Sequence, residues 1–158
     1  MLHVSCFISD MLVKIKRIDK SLPLPRYETP GSVAFDLSAR ETVSIGPGER
    51  ADIPANIVIG TPRGFMLMLA PRSSLCRKKN LVMPNSVGII DQDYCGPGDE
   101  LHIQVWNIGR KTATIERGER LAQGIFVKIG RADWQEVEEV SPKDRGRFGT
   151  TGGYSTAD

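Results

Sequence analysis

A chain of 158 residues, a quarter of them charged and with a formal net charge of +2, suits one domain that can bury a sizeable core. The near balance of charge gives no global basic field for nucleic acid and no polyanion-binding tail, while leaving small anionic ligands open. No apolar run approaches the roughly 18–20 residues that span a bilayer, and no secretory leader pattern opens the chain, so neither nucleic acid nor membrane is expected as a partner.

Three cysteines, Cys6, Cys76 and Cys95, are odd in number and form no C-x-x-C pair, which argues against a disulfide framework and a zinc site. A reducing cytoplasm is the expected compartment, with Cys76 and Cys95 as small packing residues. The first ten residues are mildly apolar and precede a second methionine, Met11. The expected organisation is an extension over 1–11, a β domain over 12–140 and a tail over 141–158.

Over 12–18, apolar and charged residues alternate as in a half-buried strand, with Val13 and Ile15 on one face and Lys14 and Lys16 on the other. Pro23 and Pro25 end it. The stretch 27–39 then reads Tyr-Glu-Thr-Pro-Gly-Ser-Val-Ala-Phe-Asp-Leu-Ser-Ala, where Asp36, read alone, is a strand-end carboxylate capping nearby backbone. Short β-like runs follow at 42–45, 50–53, 56–59 and 64–69, punctuated by Gly46-Pro47-Gly48 and Thr61-Pro62-Arg63-Gly64. This rhythm predicts an all-β sandwich or barrel with almost no helix.

Pro71-Arg72-Ser73-Ser74-Leu75 predicts a turn in which a serine caps a short helical segment, with Arg72 adding a forked donor suited to phosphate. The stretch 85–96, Asn-Ser-Val-Gly-Ile-Ile-Asp-Gln-Asp-Tyr-Cys-Gly, places two carboxylates and a tyrosine after an apolar run. It predicts a hairpin with an acidic tip, which read alone is an ordinary polar turn. Leu101, Ile103 and Val105 alternate with His102, Gln104 and Trp106 in the strand expected to return under that hairpin. His102 is expected to be a strand residue with a satisfied ring. A strand over 112–115, a turn at Arg117-Gly118-Glu119 and the tetrapeptide Arg120-Leu121-Ala122-Gln123 lead into an apolar strand over 125–129. Gln123, read alone, satisfies backbone at a strand end. The tail, rich in glycine, hydroxyl residues and arginine, reads as disordered.

From Pro25 to Gly153 the chain resembles, in order, the five sequence motifs of the trimeric dUTP diphosphatases (dUTPases). They are carried by the segments around Asp36, Arg72-Ser73-Ser74, 85–96, Arg120–Gln123 and Arg145-Gly146-Arg147-Phe148-Gly149-Thr150-Thr151-Gly152. Ala34 and Ser74 stand where the family often has glycine, and Pro97-Gly98-Asp99 lengthens the segment after the third motif. The resemblance implies a distorted jelly-roll-like β-barrel with a flexible C-terminal arm, assembled as a homotrimer with shared active sites. It further implies hydrolysis of dUTP to dUMP and pyrophosphate by water attack at the α-phosphate, with Asp91 as base.

Arg72, Ser73 and Ser74 would line the triphosphate, with Ser73 near the bond to be cleaved, and Gln123 would meet the α-phosphate and the attacking water. Asn85 would match the uracil edge, the backbone of Gly88, Ile89 and Ile90 would complete base recognition, and Tyr94 would pack on the deoxyribose. From the arm, Arg145 would meet the γ-phosphate, Phe148 would stack on the base, and Thr150 and Thr151 would donate hydroxyls. Asp36 would help place Mg2+ through water, the ion being held mainly by the substrate phosphates. Motifs two and four are expected from one protomer, one and three from another, and the arm from a third. The nearest rival in the same fold is dCTP deaminase, but Gln104 stands three residues before Asn107, where that enzyme's glutamate would be. A nucleotide-sensing regulator is the rival from another class.

Overall fold

The structure, a computed structural model, describes residues 11–144. In chain order its elements are β1 (Lys14–Arg17), β2 (Phe35–Ser38), β3 (Val43–Ile45), β4 (Arg50–Pro54), β5 (Ile57–Gly60) and β6 (Phe65–Pro71), then α1 (Ser74–Lys79). There follow β7 (Leu81–Val82), β8 (Gly88–Ile90), β9 (His102–Asn107), β10 (Ala113–Ile115) and β11 (Arg120–Lys128). The expected all-β architecture is present, and the single helix among the described residues, six residues long, lies where the Arg-Ser-Ser turn predicts it. No helix among the described residues is long and apolar enough to cross a membrane.

Among the described residues every strand pairing is antiparallel. The largest sheet runs β2-β11-β6-β8, a second runs β4-β9-β7, and the pairs β1-β5 and β10-β3 complete the fold. Alternation decides which face is buried. On β9, Ile103 and Val105 are fully buried while His102, Gln104 and Trp106 face outward. On β6 and β2, Leu67, Leu69, Phe35 and Leu37 point into the same core. His102 is a strand residue, as expected, and its side chain is exposed.

The segment 85–96 does not form the expected hairpin with the strand that follows. Its strand β8 pairs with β6, with Leu67 opposite Ile90 and Leu69 opposite Gly88, whereas β9 lies in the other sheet between β4 and β7. The physical reason is that β9 has both edges occupied, and the turn at 96–99 carries the chain from one sheet to the other. Cys76 and Cys95 are free and exposed, so neither is the packing residue expected of it.

Gly124 on β11 lies opposite Phe35 of β2, and the tip of the Phe35 ring comes down on it. A Cβ at Gly124 would stand 2.5 Å from the Phe35 ring. That ring is 5 % exposed and wedged between Tyr27 and Phe126, with centroids at 5.9 and 5.7 Å, so it has little room to retreat. Gly124→Ala should therefore cost about 1–3 kcal/mol of stability by overpacking. A lower urea midpoint with an unchanged slope is the expected reading; an unchanged midpoint would show that the ring gives way freely.

Candidate active site

A face carrying three arginines and two carboxylates is built by a defect in β11. In a regular strand, residues three apart point to opposite faces. Here the register against β2 shifts between Arg120 and Ala122, so Arg120 lies opposite Ser38 while Gln123 lies opposite Asp36. The extra residue, Leu121, turns its side chain into the core, 1 % exposed. This bulge brings Arg120 and Gln123 onto the same outer face as Asp36. Ala70 of β6 lies opposite Gln123, so Arg72, two residues further on, arrives on that face too.

There Asp36 receives two guanidiniums, Arg72 Nε on Oδ1 at 2.9 Å and Arg120 on Oδ2 at 2.9 Å. Arg120 also reaches Glu28 at 2.9 Å, and Glu28 accepts from Arg26 Nε at 3.1 Å. The hydrogen bond from Arg26, followed by that from Arg120, holds the Glu28 carboxyl below the usual glutamate range. That contribution is in place above the ordinary glutamate value and is lost only as the pH falls through the depressed one. Three guanidiniums face two carboxylates, leaving one net positive charge. The contact between Arg72 and Asp36 runs through Nε.

Gln123 donates through Nε2 to the Pro71 carbonyl at 3.2 Å and thereby ties β11 to the start of the Arg-Ser-Ser turn. Ser73 occupies the N-cap position of α1 in right-handed helical geometry (φ −55°, ψ −23°) and makes no side-chain capping bond. The expected cap is therefore absent, and the exposed Ser73 hydroxyl stays free of the helix, with Ser74 half-buried beside it.

The acidic loop lies elsewhere. Asn85, Ile89, Asp91, Asp93 and Tyr94 are all exposed, and Gly88 and Ile90 are half-buried. Gln92 holds the loop by donating to the Phe65 carbonyl at 3.0 Å. Because Ile90 lies opposite Leu67, Asp91 stands level with Met66, roughly 17 Å along β6 from Pro71, where the turn carrying Arg72 and Ser73 begins, at ~3.4 Å per residue. One protomer thus gathers Asp36, Arg72, Ser73, Arg120 and Gln123, and leaves Asp91 and Tyr94 at the other end of the strand. The expectation that motif one travels with motif three is corrected: Asp36 belongs with motifs two and four. Arg145, Phe148, Thr150 and Thr151 lie outside the described residues.

Sequence reasoning missed Glu28, which has no motif of its own and is found only through its contact with Arg120. It also missed the bulge, whose one trace in the sequence is that Arg120 and Gln123 stand an odd number of residues apart. As for a metal, no group of three His, Cys, Asp or Glu side chains converges among the described residues. Asp36 has an arginine on each oxygen, yet a carboxylate offers about four acceptor positions, so it fits an outer-sphere contact to a hydrated ion and not a protein-built cage.

An all-β fold that gathers guanidiniums, a free serine hydroxyl and an amide on one exposed sheet end has the make-up of a phosphate-binding protein. The dUTPase family model matches residues 20–154. The deoxyuridine 5'-triphosphate nucleotidohydrolase of Acinetobacter baylyi is 42% identical over 151 residues, covering 90% of this chain and 99% of that protein. That of Serratia proteamaculans is 41% identical over 143 residues, covering 89% and 92%. Among solved structures, the Streptococcus mutans dUTPase superposes with a TM-score of 0.71 at 35% identity, covering 76% of this chain and 98% of that one. The chain belongs to the dUTPase family.

Arg72→Lys keeps the charge but loses the fork that lets one nitrogen hold Asp36 while others face a ligand. The expected outcome is a loss of about ten-fold or more in nucleoside triphosphate affinity by calorimetry, with little change in Tm, since the pair is partly exposed. Unchanged affinity would remove Arg72 from the phosphate grip.

Proposed function

We propose that this protein hydrolyses dUTP to dUMP and pyrophosphate by attack of water at the α-phosphate. The observation that carries the reading is the face on which Arg72, Ser73, Gln123 and the Arg120-braced Asp36 meet, within a chain matched by the family over nearly its whole length.

The two carboxylates are in opposite states, which supports giving them different roles. Asp36 has both oxygens bound to arginine. Its work is to hold Arg72 at a fixed angle, so that the free guanidinium nitrogens meet phosphate oxygens without reorganising. Asp91 is exposed and enters none of the ion pairs among the described residues. A carboxylate with free lone pairs can take a proton from water, and Asp91 is that base.

Ser73 lies against the phosphates near the bond to be broken, Ser74 lines them, and the Gln123 amide meets the α-phosphate and the water. Asn85 matches the uracil edge, and the backbone of Gly88, Ile89 and Ile90 frames the base. Tyr94 lies against the deoxyribose, where a ribose hydroxyl would collide. From the fifth motif, Arg145 meets the γ-phosphate, Phe148 stacks on the base, and Thr150 and Thr151 donate hydroxyls. Asp36 would help to hold a magnesium ion through water, and such an ion would supply positive charge against the triphosphate.

The span between Asp91 and Ser73 supports a homotrimer in which neighbouring chains complete each site. The exposed free thiols of Cys76 and Cys95 suit a reducing cytoplasm.

With magnesium and dUTP, the purified protein should release pyrophosphate and dUMP; nucleotide binding without any product would overturn the enzymatic reading. Asp91→Asn should lower turnover by roughly 100-fold to 10,000-fold while nucleotide still binds. Undiminished turnover would take the base role from Asp91. Chains carrying Asp91→Asn and chains carrying Arg72→Ala, each inactive alone, should regain activity when unfolded together and reassembled one to one. If neighbouring chains supply the two groups, about a quarter of the sites are intact. No regain would place both groups of each site in one chain.

A further inference from the structure

We propose that Glu100 is a positioning residue for Tyr94, and that through this ring it sets the preference for deoxyribose over ribose. The inference rests on the reading of Tyr94 as the residue packed against the sugar. The Tyr94 hydroxyl donates to the backbone carbonyl of Glu100 at 3.2 Å. That carbonyl belongs to one of the most firmly held residues in the fold. The Glu100 carboxylate, on a residue 9 % exposed, accepts from Arg40 through Nε at 2.8 Å and a terminal nitrogen at 3.2 Å. It also accepts from the Asn56 backbone N–H at 2.8 Å. On the following residue, the Leu101 N–H donates to Ile57 O at 2.9 Å and the Leu101 carbonyl accepts from Ala55 at 2.8 Å.

The chain between the two residues is closed on itself. Gly96 N–H donates to Asp99 Oδ2 at 2.6 Å, Asp99 N–H returns to Gly96 O at 3.1 Å, and Glu100 N–H reaches Gly98 O at 2.9 Å. Lys16 ties the outside of the turn to β1 by donating to Pro97 O at 2.8 Å. The backbone end of Tyr94 is less secure, its N–H reaching Asp91 O at 3.4 Å. The ring is 41 % exposed, so its position depends on the hydroxyl at its far end.

A wall rejects an added hydroxyl only if it cannot retreat, and a site that merely packs against that position discriminates weakly. The segment Pro97-Gly98-Asp99 gains a purpose by this account: it delivers a fixed carbonyl to the tip of the tyrosine. The ordering of the ring is then met during folding, and not at each binding event.

The test is kcat and KM for dUTP and for UTP with the full-length protein. Tyr94→Phe, which removes only the hydroxyl, should raise kcat/KM for UTP relative to dUTP by about three- to ten-fold. Glu100→Gln, which keeps an acceptor for Asn56 but weakens the grip of Arg40, should shift the ratio in the same direction. In the Tyr94→Phe background it should shift it no further, because the two act through one contact. An equal loss for both substrates, or an effect that persists in the phenylalanine background, would make Glu100 a purely structural residue and overturn the proposal. Lys16→Ala, at an exposed position that releases the same turn, takes the place of Glu100→Gln if that variant does not fold, with the same expected and contrary outcomes. Tyr94→Ala separates the two levels: an unchanged UTP preference there would remove Tyr94 from the sugar and with it the underlying reading.

Discussion

The Asp36 carboxylate, held between Arg72 and Arg120, is the contact on which the arrangement of the site depends. It joins β2, β11 and the turn after β6 at one point, and it exists because the bulge at Leu121 rotates Arg120 to the face of Asp36. Without the extra residue Arg120 would face the core, where an unpaired guanidinium is expensive to bury. The same shift lets Leu121 enter the core, so a single backbone irregularity provides both apolar packing and an exposed charged face. Exposed ion pairs contribute little to stability, and the worth of this cluster lies in fixing the direction of Arg72 before any ligand arrives.

A second constraint acts through buried polar groups. Arg40, Glu100 and Asn56 form a fully hydrogen-bonded cluster where the turn at 96–99 meets β5 and β9. Asn56 reaches on to Asp19, accepting from its backbone N–H and donating to its carbonyl. Asp19 is in turn held far below the usual carboxylate range, first by the Ser21 hydroxyl and then by Arg117. Such a cluster is costly unless every member is paired, and when paired it admits one arrangement of the chain. The consequence is a rigid base beneath a loop that is otherwise exposed.

Much of this was legible in the sequence, for reasons that differ from residue to residue. Alternation in Leu101, Ile103 and Val105 marked β9 because one face of that strand is buried and the other is not. The Arg-Ser-Ser turn marked α1. What alternation could not supply was partnership between strands: β8 and β9 follow one another in the chain and read as a hairpin, yet they belong to different sheets. The state of Asp36 was equally hidden. A carboxylate in a strand looks the same whether it faces water, metal or arginine, and the arginines that claim it are 36 and 84 residues away in the chain (72 − 36 and 120 − 36). Cys76 and Cys95 were misjudged because cysteine is usually buried, while the six-residue helix and the loop that carry them bury only Leu75 and Glu100 nearby.

The length of β6 sets how far the acidic loop stands from the arginine turn. The strand is seven residues long, its ladder with β8 is set by the buried Leu67 and Leu69, and a slip of one residue would turn those side chains out to solvent. The acidic loop is therefore fixed toward the start of β6 and the arginine turn at its end, a span of rigid sheet that no local movement can close. A phosphate group is only a few ångströms across, so a base and a grip acting on one phosphate cannot be the Asp91 and the Arg72 of the same chain. On the proposal that both serve the reaction, the rigid sheet between them is the reason a second chain would be needed to complete each site.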